Sequence, residues 1–475
     1  MHWIDLFIFS SYLIFMLGVG FFYLRKNKST EDYFVGGRQM GSLHIGLSVV
    51  ATDVGGGFSI GLGGLGFVMG ISGSWLLFSG LIGAWLTAVV LVPKIHRLSR
   101  KLNLLSFPQF LEHSYDKKVA FLAGIISAIG YLGFTSSQVL AGAKLASATF
   151  PSISFHSALL IMGAIAVAYT VLGGLKAVIY TDTIQWIVLM VGLIVVAIPL
   201  CYHAIGGIEV IKDTLPASFF SFSNVSWQKI LNWMITIVPI WFIGMTLYQR
   251  IYASRSVKTA KRAWFIAGLF EYPLMAFMGV VLGLFARVAY ENGLLSSEGF
   301  APGSPIDAEM GLPLLLKSVL PVGLTGIVMS AYFSAIMSTA DSCLMASSGN
   351  ILTDIMKSHY HPSGLRLSQL LTLLVGVLAL FIALKMPNVL QLMLYSYTFM
   401  VSGLFVPVIA ALLRTKNNPS AAFWAMIAGG GTSLTLIIIS PSLPFGLDPI
   451  VFGIMASLVV FLFFVVVQRR RQSVS

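Results

Sequence analysis

An all-α protein that crosses a membrane many times is what this sequence predicts, and three observations carry the prediction. Of its 475 residues, 57% are hydrophobic and 10% charged. A soluble domain is about one quarter charged, so this chain lacks the groups to solvate a surface of its size in water, and its mean hydropathy of +0.90 agrees. Apolar runs of about 20 residues, the length that spans a bilayer, recur from one end to the other. The basic residues are unevenly spread between the loops, as in a chain threaded through a membrane in one sense.

Taken in order, the runs give about 13 spans, near 5–24, 43–70, 73–93, 119–144, 157–172, 177–200, 230–250, 263–288, 320–350, 367–384, 388–412, 420–440 and 449–467. The opening run is followed by Arg25, Lys26 and Lys28 rather than by a small-residue cleavage site, so it reads as a span and not a leader. With the N-terminus outside and the C-terminus cytoplasmic, roughly 23 of the 29 Lys and Arg fall on the inner side. The inner clusters are Arg25/Lys26/Lys28/Arg38, Lys94/Arg97/Arg100/Lys101/Lys117/Lys118, Arg255/Lys258/Lys261/Arg262, Arg414/Lys416 and Arg469/Arg470/Arg471, while Glu291, Glu298, Asp307 and Glu309 land outside. The formal charge of +12 is therefore topological, and no nucleic-acid partner is expected. The expected setting is a lipid bilayer, with the chain multi-pass in a plasma membrane and working as a monomer.

Two spans are poor helices. The second holds Gly55, Gly56 and Gly57 in a row beside Asp53; each interior Gly costs about 1 kcal/mol relative to Ala, so a break is expected there. The seventh carries Pro239 and Gly244 in its middle. Interrupted helices in corresponding places of two halves point to an inverted-repeat transporter, whose unwound backbone meets ligand and ion at mid-membrane. Glycine also serves close helix packing, but non-helical backbone at that depth is tolerated only where it is buried or lines a cavity.

The ninth span adds a hydroxyl stripe. Ala335, Ser338, Thr339 and Ser342 follow at i, i+3, i+4 and i+7 and share one helix face, with Asp341 on its flank. The fourth span carries Thr135, Ser136, Ser137 and Gln138. Asp53, Asp182 and Asp341 are the deep acids, and a central Asp costs about 3 kcal/mol, so three of them on broken or hydroxyl-rich spans point to a cation path.

Other signals carry less. Gly61, Gly63 and Gly66 spell GxGxxG inside a membrane helix, without the strand a phosphate loop requires. The histidines have no HExxH spacing, and the two cysteines, Cys201 and Cys343, sit in or beside apolar runs. No Ser/His or metal-ligand constellation supports an enzyme, and an intramembrane enzyme or sensor is the remote alternative.

The segments DYFVGGR, GLSVVATDVGGGFSIG, YTVLGGLKAVIYTDTIQ, YQRIYASRS and SAIMSTADSCLMASS together resemble the sodium:solute symporter family over nearly the whole chain. That resemblance implies an amino-acid-transporter (LeuT-like) core of two inverted five-helix repeats, 43–228 and 229–416, in a single membrane domain. An extra helix and loop (1–42) precede the core and two helices (417–475) follow it. It further implies sodium-coupled symport of a small organic solute by alternating access. By the same resemblance the sodium site is Ala51, Val54, Ala335, Ser338 and Thr339; neutral oxygens of this kind suit a hard monovalent cation. A second sodium would add Asp182, Asp341 and Ser342. The choline-carrying branch has Trp where Asp53 and Gly244 stand, so a quaternary-ammonium cage lacks both aromatics here, and Asp53 resembles the Asp of the proline-carrying branch. By position the solute site is expected at Asp53, Gly56, Phe78, Gln138, Trp241, Gly244 and Thr246. The alternative is a proton-coupled carrier titrating Asp53, Asp182 or Asp341.

Overall fold

A computed structural model describes residues 2–24, 35–150, 153–357, 364–413, 418–440 and 442–474. Arg25, Lys26, Lys28, Arg414 and Lys416, used above for orientation, lie outside them, and the side chains of Arg469, Arg470 and Arg471 are not described. The described chain is helical, and its one backbone bridge between distant segments joins Met40 to Ser254.

The first third of the chain forms α1 (Trp3–Leu24), α2 (Ser42–Met69), α3 (Trp75–Val90), two short helices α4 (Val92–Leu102) and α5 (Phe107–Ser114), and the long α6 (Lys117–Thr149). Then come α7 (Phe155–Met190), α8 (Ile198–Ala204), α9 (Gly207–Thr214), α10 (Trp227–Ile243), α11 (Met245–Ala253), α12 (Val257–Leu269) and α13 (Ala276–Glu291). The remainder is α14 (Ala308–Val319), α15 (Leu324–Asn350), α16 (Gly364–Ala383), α17 (Val389–Leu412), α18 (Pro419–Ile439) and α19 (Pro449–Val474). Short polar residues set many of the starts. Asp116, Ser154, Ser226, Ser256 and Asn418 each accept a hydrogen bond from the backbone N–H three residues on, satisfying one of the orphan donors of a first turn.

Among the described residues nine helices are long and apolar enough to cross a membrane, or ten when α10 and α11, bent by 43°, count as one span. Residues 59–90 and 257–291 are each one stretch in that count, although Gly70 (φ 65°) and Tyr272 (φ −139°) turn the chain within them. Two interruptions match the sequence. Gly55 (φ 35°, ψ −170°) breaks α2, and Gly244 (ψ 115°) separates α10 from α11, whereas Pro239 stays within α10.

Two features differ from the expectation. The loop placed between the fifth and sixth spans is absent: α7 runs from Phe155 to Met190 and continues through a π-helical stretch, Val191–Ala197, into α8. The two glycines at 173 and 174 weaken a helix by about 1 kcal/mol each but, unlike proline, remove no backbone donor. The eighth span is broken where none was expected, at Tyr272 (φ −139°, ψ 124°). Pro273 explains this, since its ring cannot donate a backbone bond and disfavours helical geometry in the residue before it.

Burial orders the helices. For α15 and its π-helical extension, 94% of the apolar window is buried inside the protein, against 22% for α19. The hydroxyl-rich helix is thus the axis around which the others pack, and α19 faces outward. α2 and α13 meet backbone to backbone: a methyl on Gly66 would collide with the Val280 carbonyl, and one on Gly283 with the Gly63 carbonyl. Gly63 and Gly66 belong to the GxGxxG run, and their role here is close approach between helices.

The short helix α4 lies outside the spans. Arg100 Nη2 donates to the carbonyls of Arg38 (2.7 Å) and Ser254 (2.9 Å), and His96 Nε2 donates to the Ser254 carbonyl at 3.0 Å. Burial, helped by Arg100 and Arg38, lowers the His96 pKa, and the Ser254 carbonyl opposes them. A group depressed in the folded state contributes stability above its unfolded pKa and loses it as pH falls. The melting temperature in detergent is expected to drop as pH falls below about 6.5, the ordinary His value, and His96→Gln to flatten that drop; an unchanged profile in His96→Gln would remove the assignment.

Candidate functional site

The break in α2 faces α15. Thr339 Oγ1 donates to the Ala51 carbonyl at 2.9 Å and lies 3.2 Å from the Ala335 carbonyl. A methyl on Gly55 would collide with Thr339 Oγ1, and the positive φ there independently favours glycine. Ala51, Val54, Ala335, Ser338 and Thr339 are all buried. Backbone oxygens freed by the break and a hydroxyl from α15 therefore converge at one depth. Gly55's own carbonyl accepts from Ser59 Oγ at 2.7 Å.

Beside this lies a charged network. Asp182, fully buried on α7, accepts from Ser48 Oγ (2.5 Å) and from Ser338 Oγ. Arg250 on α11, also fully buried, approaches Asp182 Oδ2 at 3.4 Å. Its Nη2 donates to Thr52 Oγ1 and Ser342 Oγ, both at 2.7 Å, its Nε to Ser48 Oγ at 3.1 Å, and its Nη1 to the Thr246 carbonyl at 3.3 Å. A guanidinium thus stands between two of the residues expected at a second sodium, Asp182 and Ser342. The third, Asp341, turns to α7: Thr170 Oγ1 donates to its Oδ1 at 2.5 Å, and its Oδ2 has no partner among the described residues.

The residues expected around the solute are distributed as follows. Asp53 lies carboxyl to carboxyl with Glu271, and the Tyr397 hydroxyl reaches it as well. Gln138 Oε1 accepts from the Gly57 N–H at 2.9 Å and so ties α6 to the α2 break. Trp241 is fully buried, and among the described residues its indole N–H has no acceptor. Gly244 is the α10–α11 break, and Thr246 Oγ1 pairs with the Tyr131 hydroxyl at 3.0 Å. Phe78 packs edge-on against Trp75 (5.1 Å) and Tyr272 (5.2 Å) in an aromatic row. Gly56 is helical.

Arg250, Ser48, Thr52, Glu271, Tyr131 and Tyr397 escaped the sequence reading. Arg250 ends the seventh span and counts there as one more inner-side charge. Glu271 falls in a run read as an ordinary helix; the available signal was an acid two residues before a proline inside a membrane span.

A cavity of about 590 Å³ opens beside the C-terminal half of α2, lined among others by Gly61, Gly64, Trp233, Thr236, Tyr395 and Thr398. At its rim Lys144 pairs with Asp307 (2.5 Å) and Glu309 (2.6 Å). Glu309 also accepts from the N–H groups of Val389 and Leu390, at 2.9 and 3.0 Å, so it caps the start of α17 rather than lying free in a loop. Among the described residues no three His, Cys, Asp or Glu side chains are grouped to hold a metal. The oxygens at the α2 break are carbonyl and hydroxyl.

Broken helices meeting a hydroxyl-lined partner, with a cavity beside α2, are the features of a LeuT-like fold. A solved structure with 21% sequence identity, described as the substrate-bound outward-open state of a Na⁺-coupled sialic acid symporter, shares this fold with a TM-score of 0.79 over 96% of both chains. The family model for the sodium:solute symporter family matches residues 33–429, and the chain belongs to that family. The high-affinity proline transporter PutP of Bacillus subtilis (strain 168) is 28% identical over 88% of this chain and 89% of its own length. The sodium/proline symporter of Escherichia coli (strain K12) is 28% identical over 90% and 86%. The protein is a sodium-coupled symporter of a small organic solute, a multi-pass protein of the plasma membrane and not an enzyme.

Proposed function

We propose that sodium binds at the α2 break, between the carbonyls of Ala51, Val54 and Ala335 and the hydroxyls of Ser338 and Thr339. The observation carrying this reading is the reach of Thr339 Oγ1 to the Ala51 carbonyl beside the positive-φ Gly55: a cation inserted there trades one hydrogen bond for several oxygen ligands. The solute binds next to it, among Asp53, Gly56, Gln138, Trp241, Gly244 and Thr246, with Phe78 toward the outer side. The core comprises inverted repeats 43–228 and 229–416, flanked by 1–42 and 417–475. The whole chain is a multi-pass bundle with its N-terminus outside and C-terminus in the cytoplasm, and works as a monomer; the count of about 13 crossings would need a turn near residues 173–174, where α7 is continuous.

Sodium drives the cycle only if it binds the outward state better than the inward one, because a ligand with equal affinity for both shifts nothing. The cavity beside Thr236 and Thr398 is the outward approach, and closing it over the bound solute commits both ligands inward. A second sodium at Asp182, Asp341 and Ser342 requires Arg250 to leave Asp182 and Ser342. Uptake of radiolabelled solute by proteoliposomes separates the coupling ions. A sodium gradient without a pH gradient is expected to drive accumulation, whereas accumulation driven only by a pH gradient would move the coupling to a titrating Asp53, Asp182 or Asp341.

A further inference from the structure

Apart from the sodium ligands, the membrane interior holds a pair of acids that no basic side chain among the described residues neutralises. Asp53 is 6% exposed and Glu271 fully buried, and their carboxyl groups face each other. Each comes from a backbone break: Asp53 precedes Gly55 by two residues, and Glu271 immediately precedes the non-helical Tyr272. Among the described residues neither acid forms an ion pair; the one buried Arg nearby, Arg250, is engaged by Asp182, Thr52, Ser48 and Ser342.

Among the described residues the carboxyl group of Glu271 has no partner beyond the facing carboxyl of Asp53, and the indole N–H of Trp241 has no acceptor. Glu271 lies against Gly80, and Trp241 against Gly83. Those glycines are three residues apart in α3 and therefore share one helix face, so the two unsatisfied groups stand side by side over it. Buried polar groups are ordinarily paired, and a buried acid keeps its charge only beside a cation or a donor. Sodium would answer the two carboxylates but not the indole, which requires an acceptor. A protonated amine supplies up to three donors and a charge; an oxygen on the same molecule supplies the acceptor.

We infer that the transported solute carries a protonated nitrogen with an oxygen acceptor close to it, the nitrogen donating to Glu271 and Asp53 and the oxygen accepting from the Trp241 indole. Small zwitterions and amino alcohols fit; sugars and simple carboxylates do not. This rests on the symporter reading above and assigns Glu271 the role of solute ligand. The bareness of Gly80 is part of the site, because a methyl there would occupy the place of the Glu271 carboxylate.

The test uses the full-length protein in detergent. Its melting temperature is read with and without sodium against L-alanine, L-proline and ethanolamine and against their nitrogen-free counterparts L-lactate, tetrahydrofuran-2-carboxylate and ethylene glycol. At least one nitrogen compound is expected to raise the melting temperature in a sodium-dependent way while its counterpart does not. Glu271→Gln and Gly80→Ala are each expected to weaken that binding about tenfold or more, the usual scale for losing a charged hydrogen bond, while the stabilisation by sodium alone stays intact. Gly80→Ala keeps the acid but displaces it, and so controls for charge. Equal binding of a nitrogen-free counterpart, no response to any amine, or wild-type affinity in Glu271→Gln overturns the inference. Absence of any sodium effect on the wild-type protein would instead sink the broader sodium-site reading.

Discussion

Replacing Ser338 and Thr339 together by Ala abolishes sodium-driven uptake and leaves the protein in the membrane. Thr339 holds the Ala51 carbonyl across the α2 break, and Ser338 donates to Asp182. Both hydroxyls are also proposed sodium ligands. Losing each ligand should cost about 1–3 kcal/mol where the site is buried, so the pair lowers apparent sodium affinity by roughly 100-fold or more. The fold is expected to survive: the neutral bond of Thr339 is worth only about 1 kcal/mol net, and the bond of Ser338 to the Asp182 carboxylate about 1.5–3 kcal/mol, while Asp182 keeps Ser48 and Arg250. Uptake at raised sodium, set against the amount of protein in the membrane fraction, checks this. Thr339→Ser keeps the oxygen and should retain coupling; double-Ala uptake with normal sodium dependence would show that sodium binds elsewhere.

The second large effect concerns Arg250. Arg250→Met removes the cation from a fully buried pair and strips Thr52, Ser48 and Ser342 of a shared donor. Breaking a buried pair from one side costs about 3–5 kcal/mol, because the remaining charge is left without a partner. Arg250→Met is therefore expected to be among the most destabilising substitutions in the protein. Asp182→Asn in the same chain should recover a substantial part of the loss, since the stranded charge is gone. Thermal denaturation in detergent of the wild type, both single variants and the double variant closes the cycle; strictly additive losses would mean that the pair is not coupled.

The sequence made the backbone part of the site legible and left its charge pairing hidden. Three consecutive glycines beside an acid mark a break because glycine's cost to a helix is local, and Gly55 adopts the conformation that cost implies. The stripe of Ser338, Thr339 and Ser342 follows from helical periodicity alone, and all three turn inward. Arg250 was different: at the end of an apolar run it looks like an anchoring charge, and only the packing of α11 against α2 and α15 shows that it points into the core. Glu271 likewise depended on a break at Tyr272–Pro273 that the apolar count passed over, although the proline was in plain view. The missing loop at 173–174 is the converse case, in which glycine is permissive of a turn without dictating one.

The backbone contact between α2 and α13 has a mechanical consequence. Gly63 and Gly66 leave no side-chain cushion against Val280 and Gly283, so these segments cannot slide past one another without carbonyls striking carbons. The part of α2 after Gly55 and α13 should accordingly swing as a single lever, with its flexing points at the two places where the helices already give way, residues 55 and 272. Those are also the places that bring Asp53 and Glu271 together, so whatever sits between the two acids feels the lever turn.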